Sequence, residues 1–230
     1  MTQKTSRKEL LKDDMVVESS VEIVDWLEKH KPQIVRGAAA FAALVVIVAA
    51  WTWWSGSQRR EAQRRFDEGM RLLRPQAAQG APVEPKPAEA LAAFETAASK
   101  GGDSAIGRAA RYYHAVCLLE LGRGADAVPL LESVVGAART GALADSARAM
   151  LAKAYEASGA VDKAESLLRE IAASTDGTFP PDVALLRVGQ LLQRQGKTDE
   201  ARRTFQEVVT RFPQGSGAAE ARASLTALSQ

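Results

Sequence analysis

The sequence is poor in the residues that most often carry catalysis or bind metals. It has one cysteine and two histidines among 230 residues. A single cysteine excludes an intramolecular disulfide framework and a cysteine-rich zinc site, and two histidines leave little material for a metal centre or a catalytic triad. The sequence also lacks a large excess of either charge, since it contains 30 Lys+Arg and 28 Asp+Glu. This balance argues against a dedicated nucleic-acid-binding protein, which usually has a strongly basic domain.

Motifs for enzyme chemistry are lacking as well. Residues 122–127, GRGADA, match the spacing of a dinucleotide fingerprint. That fingerprint must follow a strand, and this segment follows a predicted helix. No nucleophile, base and orienting partner can be assembled from local motifs. We therefore expect no enzymatic activity, no cofactor, no metal, no small-molecule substrate and no nucleic-acid partner.

One long hydrophobic run stands out from the average composition of 46% hydrophobic and 25% charged residues. No charged residue occurs from Gly37 to Gln58. The 18 residues from 37 to 54 would form a helix of roughly 27 Å, close to the thickness of a bilayer's hydrocarbon core. A buried core helix of this length normally carries a polar face, and a cleavable signal peptide has a shorter leader. Residues 37–57 therefore predict one transmembrane helix in contact with the lipid bilayer.

The preceding segment, residues 1–36, is a charged tail with one amphipathic part. Residues 19–31 place apolar side chains at helical spacing. Lys31-Pro32 is predicted to end this short helix, and Pro32 suits the first turn of the next one. The short helix could lie on the membrane surface, pack against a partner, or have no role beyond anchoring.

A period of 37 residues organises the segment 58–230. Three apolar positions recur four times at this period, and a glycine precedes each of the last three copies. The apolar offsets of four and seven residues share one helical face, and the glycine marks the end of the preceding helix. The recurring positions are Ala90, Ala127, Ala164 and Ala201; Phe94, Leu131, Leu168 and Phe205; Ala97, Val134, Ile171 and Val208; and Gly122, Gly159 and Gly196. This pattern predicts an all-α solenoid of about four helix pairs, with a capping helix at 217–228.

The repeating unit resembles the tetratricopeptide repeat. The third unit carries Leu151, Ala152, Tyr155, Gly159 and Ala164, and the fourth carries Leu185, Val188, Gly189, Leu192, Gly196, Ala201, Phe205 and Pro213. The family period is 34 residues, so the longer period predicts about three extra residues per connection, at 101–104 and 174–181. The first unit is the most divergent, with Phe66, Gly69 and Leu72 on its first helix and a long turn at 75–88.

Arginines are concentrated directly after the hydrophobic run. Residues 58–74 contain six: Arg59, Arg60, Arg64, Arg65, Arg71 and Arg74. Two interpretations remain open, attraction to anionic lipid headgroups and a solvated face of the first repeat helix. Together with the tryptophans at the end of the run, the first two arginines are predicted membrane-interface residues: Trp51, Trp53, Trp54, Arg59 and Arg60.

The same arginines bear on orientation. Residues 22–36 contain three Lys/Arg and residues 58–72 contain five. A positive-inside count would place the repeats in the cytoplasm, although a large following domain can translocate regardless of charge.

The whole layout, from about residue 17 to the end, is similar to the YfgM-like tetratricopeptide proteins, a family of ancillary Sec translocon subunits. The residues that carry this resemblance are Trp26 to Lys31 and the exit Trp51-Thr-Trp53-Trp54. It implies a bacterial inner-membrane protein with a cytoplasmic N-terminus, periplasmic repeats, and translocon subunits or a periplasmic chaperone as partners. The arginine-rich exit and the long first turn depart from the family. The alternative is a cytoplasm-facing membrane adaptor that recruits a soluble partner or enzyme.

In the tetratricopeptide family, the first helices of the repeats line a concave groove. The resemblance implies that a partner peptide or helix would be bound there. The groove positions hold Tyr112, Val116, Leu119 and Glu120 in the second unit, Lys153 and Glu156 in the third, and Leu186, Gln190, Gln193 and Arg194 in the fourth.

Overall fold

The computed structural model describes residues 7–74, 84–138, 140–174 and 177–229. Within these ranges the chain is helical and has no strand, which confirms the all-α prediction. The chain divides into two units, Met1–Gly56 and Ser57–Gln230.

The first helix, α1, covers Arg7–Leu73. It is followed by α2 (Pro87–Gly101), α3 (Ala105–Glu120), α4 (Gly124–Ala137), α5 (Ala142–Ala157), α6 (Val161–Ala173), α7 (Pro181–Arg194), α8 (Thr198–Arg211) and α9 (Ala218–Ala227).

α1 departs from the prediction made for the tail. A short helix at 19–31 is predicted to end at Lys31-Pro32, but α1 begins at Arg7 and continues through both residues, so this prediction is wrong. Proline already has a helical φ. Within a helix it removes one backbone hydrogen bond and its ring crowds the carbonyl four residues before it, a cost of about 3 kcal/mol that long helical flanks on both sides can outweigh. The side chains of 19–30 lie outside the described residues, so their amphipathic face stays a prediction.

The hydrophobic run belongs to the first unit. From Val35 onward α1 is long and apolar enough to cross a membrane. Its large side chains are exposed, for example Val46 at 66% and Ile47 at 65%. The Thr52 hydroxyl donates a hydrogen bond of 2.9 Å to the carbonyl of Ala49, so this polar group is satisfied within the helix itself.

The second unit is built of helix pairs. Residues 57–73 of α1 pair with α2, and α3 with α4, α5 with α6 and α7 with α8 follow in order. α9 packs on α8 and α7. Four pairs and a capping helix within the described residues confirm the predicted solenoid.

The recurring glycines end the first helix of three pairs. Gly122, Gly159 and Gly196 have φ of +74°, +81° and +76°, in the left-handed region that glycine adopts without a steric cost. The N–H of the residue after each glycine donates to the carbonyl five residues before it, for example from Ala160 to Tyr155 at 2.8 Å. This is the Schellman geometry that satisfies terminal carbonyls, and it confirms the predicted turn.

Residue size is matched between the two helices of a pair. Phe205 of α8 is fully buried, and a Cβ atom on Gly189 of α7 would lie 2.5 Å from its ring. Phe94 and Gly69 repeat this relation in the first pair, at 2.8 Å. In the second and third pairs, the same positions hold leucine and alanine: Leu131 with Ala115, and Leu168 with Ala152. A large residue on the second helix thus accompanies a smaller one on the first, which keeps the core filled.

The connections between pairs lie where the extra residues are predicted. α2 and α3 are joined through 102–104, and Ser104 caps α3 by accepting a hydrogen bond from the N–H of Gly107. α6 and α7 are joined through 174–180, of which 175–176 lie outside the described residues. Most of the predicted long first turn, residues 75–83, also lies outside them.

The fingerprint-like segment at 122–127 has a packing role. It follows helix α3, and Gly124 is buried where a Cβ would lie 2.5 Å from the Cβ of Ala157. Close contact between α4 and the end of α5 therefore accounts for this glycine.

Candidate functional site

Three of the predicted groove residues line one open cavity between the third and fourth repeats. Lys153 and Glu156 come from α5, and Arg194 comes from α7. The cavity has a volume of about 480 Å³, and its remaining lining residues are Ala157, Val161, Leu191 and Gln195. It therefore combines two cations and one carboxylate with an apolar wall.

An ion pair bridges the two helices across this cavity. The guanidinium of Arg194 donates to the carboxylate of Glu156, and their side chains are 60% and 31% exposed. Lys153 is exposed one helical turn before Glu156. Because an exposed ion pair contributes little net stability, a ligand carboxylate can exchange with Glu156 at low cost.

The predicted groove residues of the second repeat are partly used in packing. Tyr112 is half-buried and lies edge-to-face on Tyr113, with ring centroids 5.1 Å apart. Burial raises the pKa of the Tyr112 hydroxyl above its ordinary value. Val116 and Leu119 pack against the core clusters around them, whereas Glu120, the last residue of α3, is exposed.

In the fourth repeat the predicted groove residues divide between core and surface. Leu186 is 4% exposed and belongs to the core cluster with Phe205. Gln190 donates a 2.8 Å hydrogen bond to Glu220 of α9, and Gln193 is exposed. A ligand in the groove would therefore meet Gln193 and Arg194 before it reached Leu186.

Two aspartates that no sequence motif singled out hold the connections between repeats. Asp145 accepts hydrogen bonds from the N–H and hydroxyl of Thr178 at 2.8 and 2.9 Å. Asp182 is 5% exposed and accepts from the N–H of Gly217 at 2.8 Å and the hydroxyl of Ser216 at 3.1 Å. The two aspartates are 37 residues apart, so the repeat period was the available signal.

Both carboxylates are stabilised in the ionised form. The hydrogen bond from the N–H of Thr178 is the main reason that the pKa of Asp145 lies below its ordinary value. For Asp182, burial acts in the opposite direction, but the hydrogen bonds from Gly217 and Ser216 outweigh it and lower the pKa.

A second cavity, of about 340 Å³, lies at the first of these connections. Its lining residues are Thr140, Gly141, Asp145, Arg148, Glu170, Ile171, Ser174, Gly177, Thr178 and Phe179. Asp145 also accepts a 3.0 Å hydrogen bond from Arg148, so these two charged residues of the cavity wall already pair with each other.

The predicted membrane-interface residues are exposed. Trp51, Trp53 and Trp54 of the first unit are 65%, 73% and 57% exposed. Arg59 and Arg60, at the start of the second unit, are exposed as well.

The residues with potential for nucleophilic or acid–base chemistry are placed in packed surroundings. Cys117 is fully buried, and burial raises its thiol pKa to about 11, so it is protonated at neutral pH. His114 is half-buried, and burial lowers its pKa. Among the described residues no three His, Cys, Asp or Glu side chains are grouped as metal ligands.

Comparison with known proteins agrees with this architecture. A family model described as a tetratricopeptide repeat-like domain matches residues 25–230. No curated protein matches the chain.

Solved structures with similar folds are remote in sequence. One is a structure from Podosopora anserina described as kinesin light chain TPR-like repeats that are nearly identical to one another. It is 20% identical to this chain, the match covers 75% of this chain and 83% of that one, and the TM-score is 0.53. The MamA RS-1 ArsTM double mutant is 16% identical, with 74% and 94% coverage and a TM-score of 0.52. These likenesses support the fold. Repeats of this type form protein–protein interaction scaffolds and are typically not enzymes, so the expected partners are proteins.

Proposed function

This chain belongs to the tetratricopeptide repeat-like domain family, and on that premise we propose that it is a membrane-anchored scaffold assisting protein export or envelope chaperoning. The observation that carries the proposal is the cavity between α5 and α7. Lys153 and Arg194 expose their cations there beside the apolar side chain of Leu191. A peptide or helix with acidic and apolar side chains would complement this surface.

The anchor is the uncharged part of α1. A helix whose apolar side chains are exposed over its whole length is unfavourable in water and favourable in a bilayer. Three tryptophans at its end suit the level of the lipid headgroups. Because the anchor and the repeats belong to one chain, the anchor tethers the repeat domain to the membrane.

The resemblance to YfgM-like proteins supports a bacterial inner-membrane location with a cytoplasmic N-terminus and periplasmic repeats. It also supports translocon subunits or a periplasmic chaperone as partners. The arginines after the anchor favour the alternative, in which the repeats face the cytoplasm and recruit a soluble partner or enzyme.

A topology reporter distinguishes these two orientations. Alkaline phosphatase fused after Gln230 folds only when exported, whereas green fluorescent protein at the same place fluoresces only when retained in the cytoplasm. We expect phosphatase activity without fluorescence. Fluorescence without phosphatase activity would refute the export role and favour the cytoplasmic adaptor.

The groove is tested by charge reversal with a matched control. Lys153→Glu/Arg194→Glu should weaken partner recovery in mild-detergent co-purification, because both cations of the cavity become acidic. Arg169→Glu/Arg203→Glu makes the same charge change in the same two repeats, but on exposed positions of their second helices. Equal recovery with both variants would remove the cavity from the partner-binding site.

A further inference from the structure

Residues 57–73 of α1 have a packed side and an exposed side. Ala62 and Leu73 are 0% and 7% exposed and lie three helical turns apart on the packed side. Arg60, Arg64 and Arg71 follow one another at spacings of four and seven residues, so they lie on the opposite side of the helix, where they are exposed. These arginines therefore do not contribute to the packing of the first repeat.

Arg59, Arg60 and Arg64 differ from Arg65, which is exposed as well, in lacking an acidic partner. Arg65 is paired with Glu61 at 2.9 Å and with Glu68 at 3.0 Å. In the part of the chain that the structure describes, Arg59, Arg60 and Arg64 form no ion pair. Three cations are thus available to an external anion.

The position of these three cations in the sequence identifies the anion. Arg59, Arg60 and Arg64 follow Trp54 by five, six and ten residues, and α1 is helical throughout this stretch. Tryptophans at the end of a membrane helix lie at the level of the headgroups. The nearest dense anionic surface is therefore that of the bilayer itself.

From this arrangement we propose that Arg59, Arg60 and Arg64 form a binding surface for anionic phospholipid headgroups, which we call the arginine collar. The inference rests on the proposed membrane anchor and is independent of the orientation and of the protein partner. The collar concentrates anionic lipid around the end of the anchor. Each arginine close to an anionic surface strengthens association about fivefold, and salt reduces this effect.

Tryptophan fluorescence offers a native probe at the collar. In a Trp26→Phe background, all tryptophan emission comes from Trp51, Trp53 and Trp54. The full chain is reconstituted into phosphatidylcholine vesicles containing a minor fraction of phosphatidylglycerol, with bromine on the acyl chains of one lipid or the other. Quenching by each brominated lipid reports how often that lipid contacts the tryptophans.

We expect phosphatidylglycerol to be enriched at least about threefold over its mole fraction, with the enrichment decreasing as salt is raised. Arg59→Gln/Arg60→Gln/Arg64→Gln should abolish the enrichment and leave quenching by phosphatidylcholine intact. The matched control Arg202→Gln/Arg203→Gln/Arg211→Gln removes three exposed arginines of α8 and should retain the enrichment.

The outcomes separate this inference from the proposed anchor. Quenching in proportion to mole fraction in the native chain would overturn the arginine collar while leaving the anchor in place. Enrichment that persists in the collar variant would also overturn it, because another feature would then recruit the lipid. Absence of quenching by either lipid would refute the anchor itself.

Discussion

Replacing Gly189 by alanine tests the size matching between paired helices. The new Cβ would lie 2.5, 2.7 and 3.0 Å from three carbons of the Phe205 ring. The ring is fully buried in the cluster with Leu185 and Val188, so it cannot move aside without displacing other side chains. Overpacking of this kind costs about 1–3 kcal/mol, and the higher helix propensity of alanine offsets up to about 1 kcal/mol. Because an approach of 2.5 Å belongs to the upper part of the overpacking range, about 2–3 kcal/mol, we expect the free energy of unfolding to fall by about 1–2 kcal/mol after this offset.

A second substitution makes this prediction specific. Phe205→Leu alone should cost about 1–2 kcal/mol, because it leaves a cavity smaller than that of a change to alanine. The double variant recreates the alanine and leucine found at these positions in the second and third repeats. It should therefore be more stable than the sum of the single effects predicts, by at least about 1 kcal/mol.

The assay is urea unfolding of the full chain in detergent micelles, followed by far-ultraviolet circular dichroism. Tryptophan emission is unsuitable, because the four tryptophans all lie at or before residue 54 and outside the repeats. Gly136→Ala in α4 is the control: its Cβ meets nothing within 4 Å, so stability should be unchanged or rise by up to about 1 kcal/mol. Equal effects of Gly189→Ala and Gly136→Ala, or strict additivity in the double variant, would refute the size-matching argument.

Two further predictions concern buried titratable groups. Asp182→Asn should lower the free energy of unfolding at pH 7 by about 1–2 kcal/mol, because Gly217 and Ser216 lose a charged acceptor. Since the folded-state pKa of Asp182 is lowered, its contribution is present above the unfolded pKa and is lost as pH falls through the folded value. The variant should therefore lose less stability than the native chain between pH 5 and pH 2. Urea unfolding at each pH measures this, and an equal loss of unfolding free energy in both proteins would contradict the assignment. Cys117 should resist a thiol reagent at pH 8 in the folded chain and react once urea unfolds it, because its pKa is about 11 and it is fully buried; fast labelling of the native chain would contradict its placement.

The helical solenoid could be predicted from the sequence because its signals are local. The glycine that ends a helix and the alanine that follows five residues later depend on backbone conformation and helical spacing alone. The same signals failed at Pro32, where a local rule predicted a helix end and α1 continues. An interior proline costs about 3 kcal/mol, which the hydrogen bonds of long helical flanks can still outweigh.

The candidate site was less predictable, since it depends on contacts between repeats. Register counting proposed Lys153, Glu156 and Arg194 for the groove, but the cavity that joins them exists only where α5 and α7 meet. The same counting proposed Leu186, which the structure buries in the core cluster that also contains Phe205. Whether a residue on the groove helix reaches the surface depends on the angle at which the next pair packs, and no local motif encodes that angle.

By itself, the sequence determined the helix–turn–helix unit, its 37-residue period and the uncharged run of α1, because each arises from residues that are neighbours in the chain. Only the tertiary structure decided that Asp145 and Asp182 hold the connections and that Arg194 bridges to Glu156. These partners lie more than 30 residues apart, and the free energy of a buried or paired charge is set by the groups that folding brings to it.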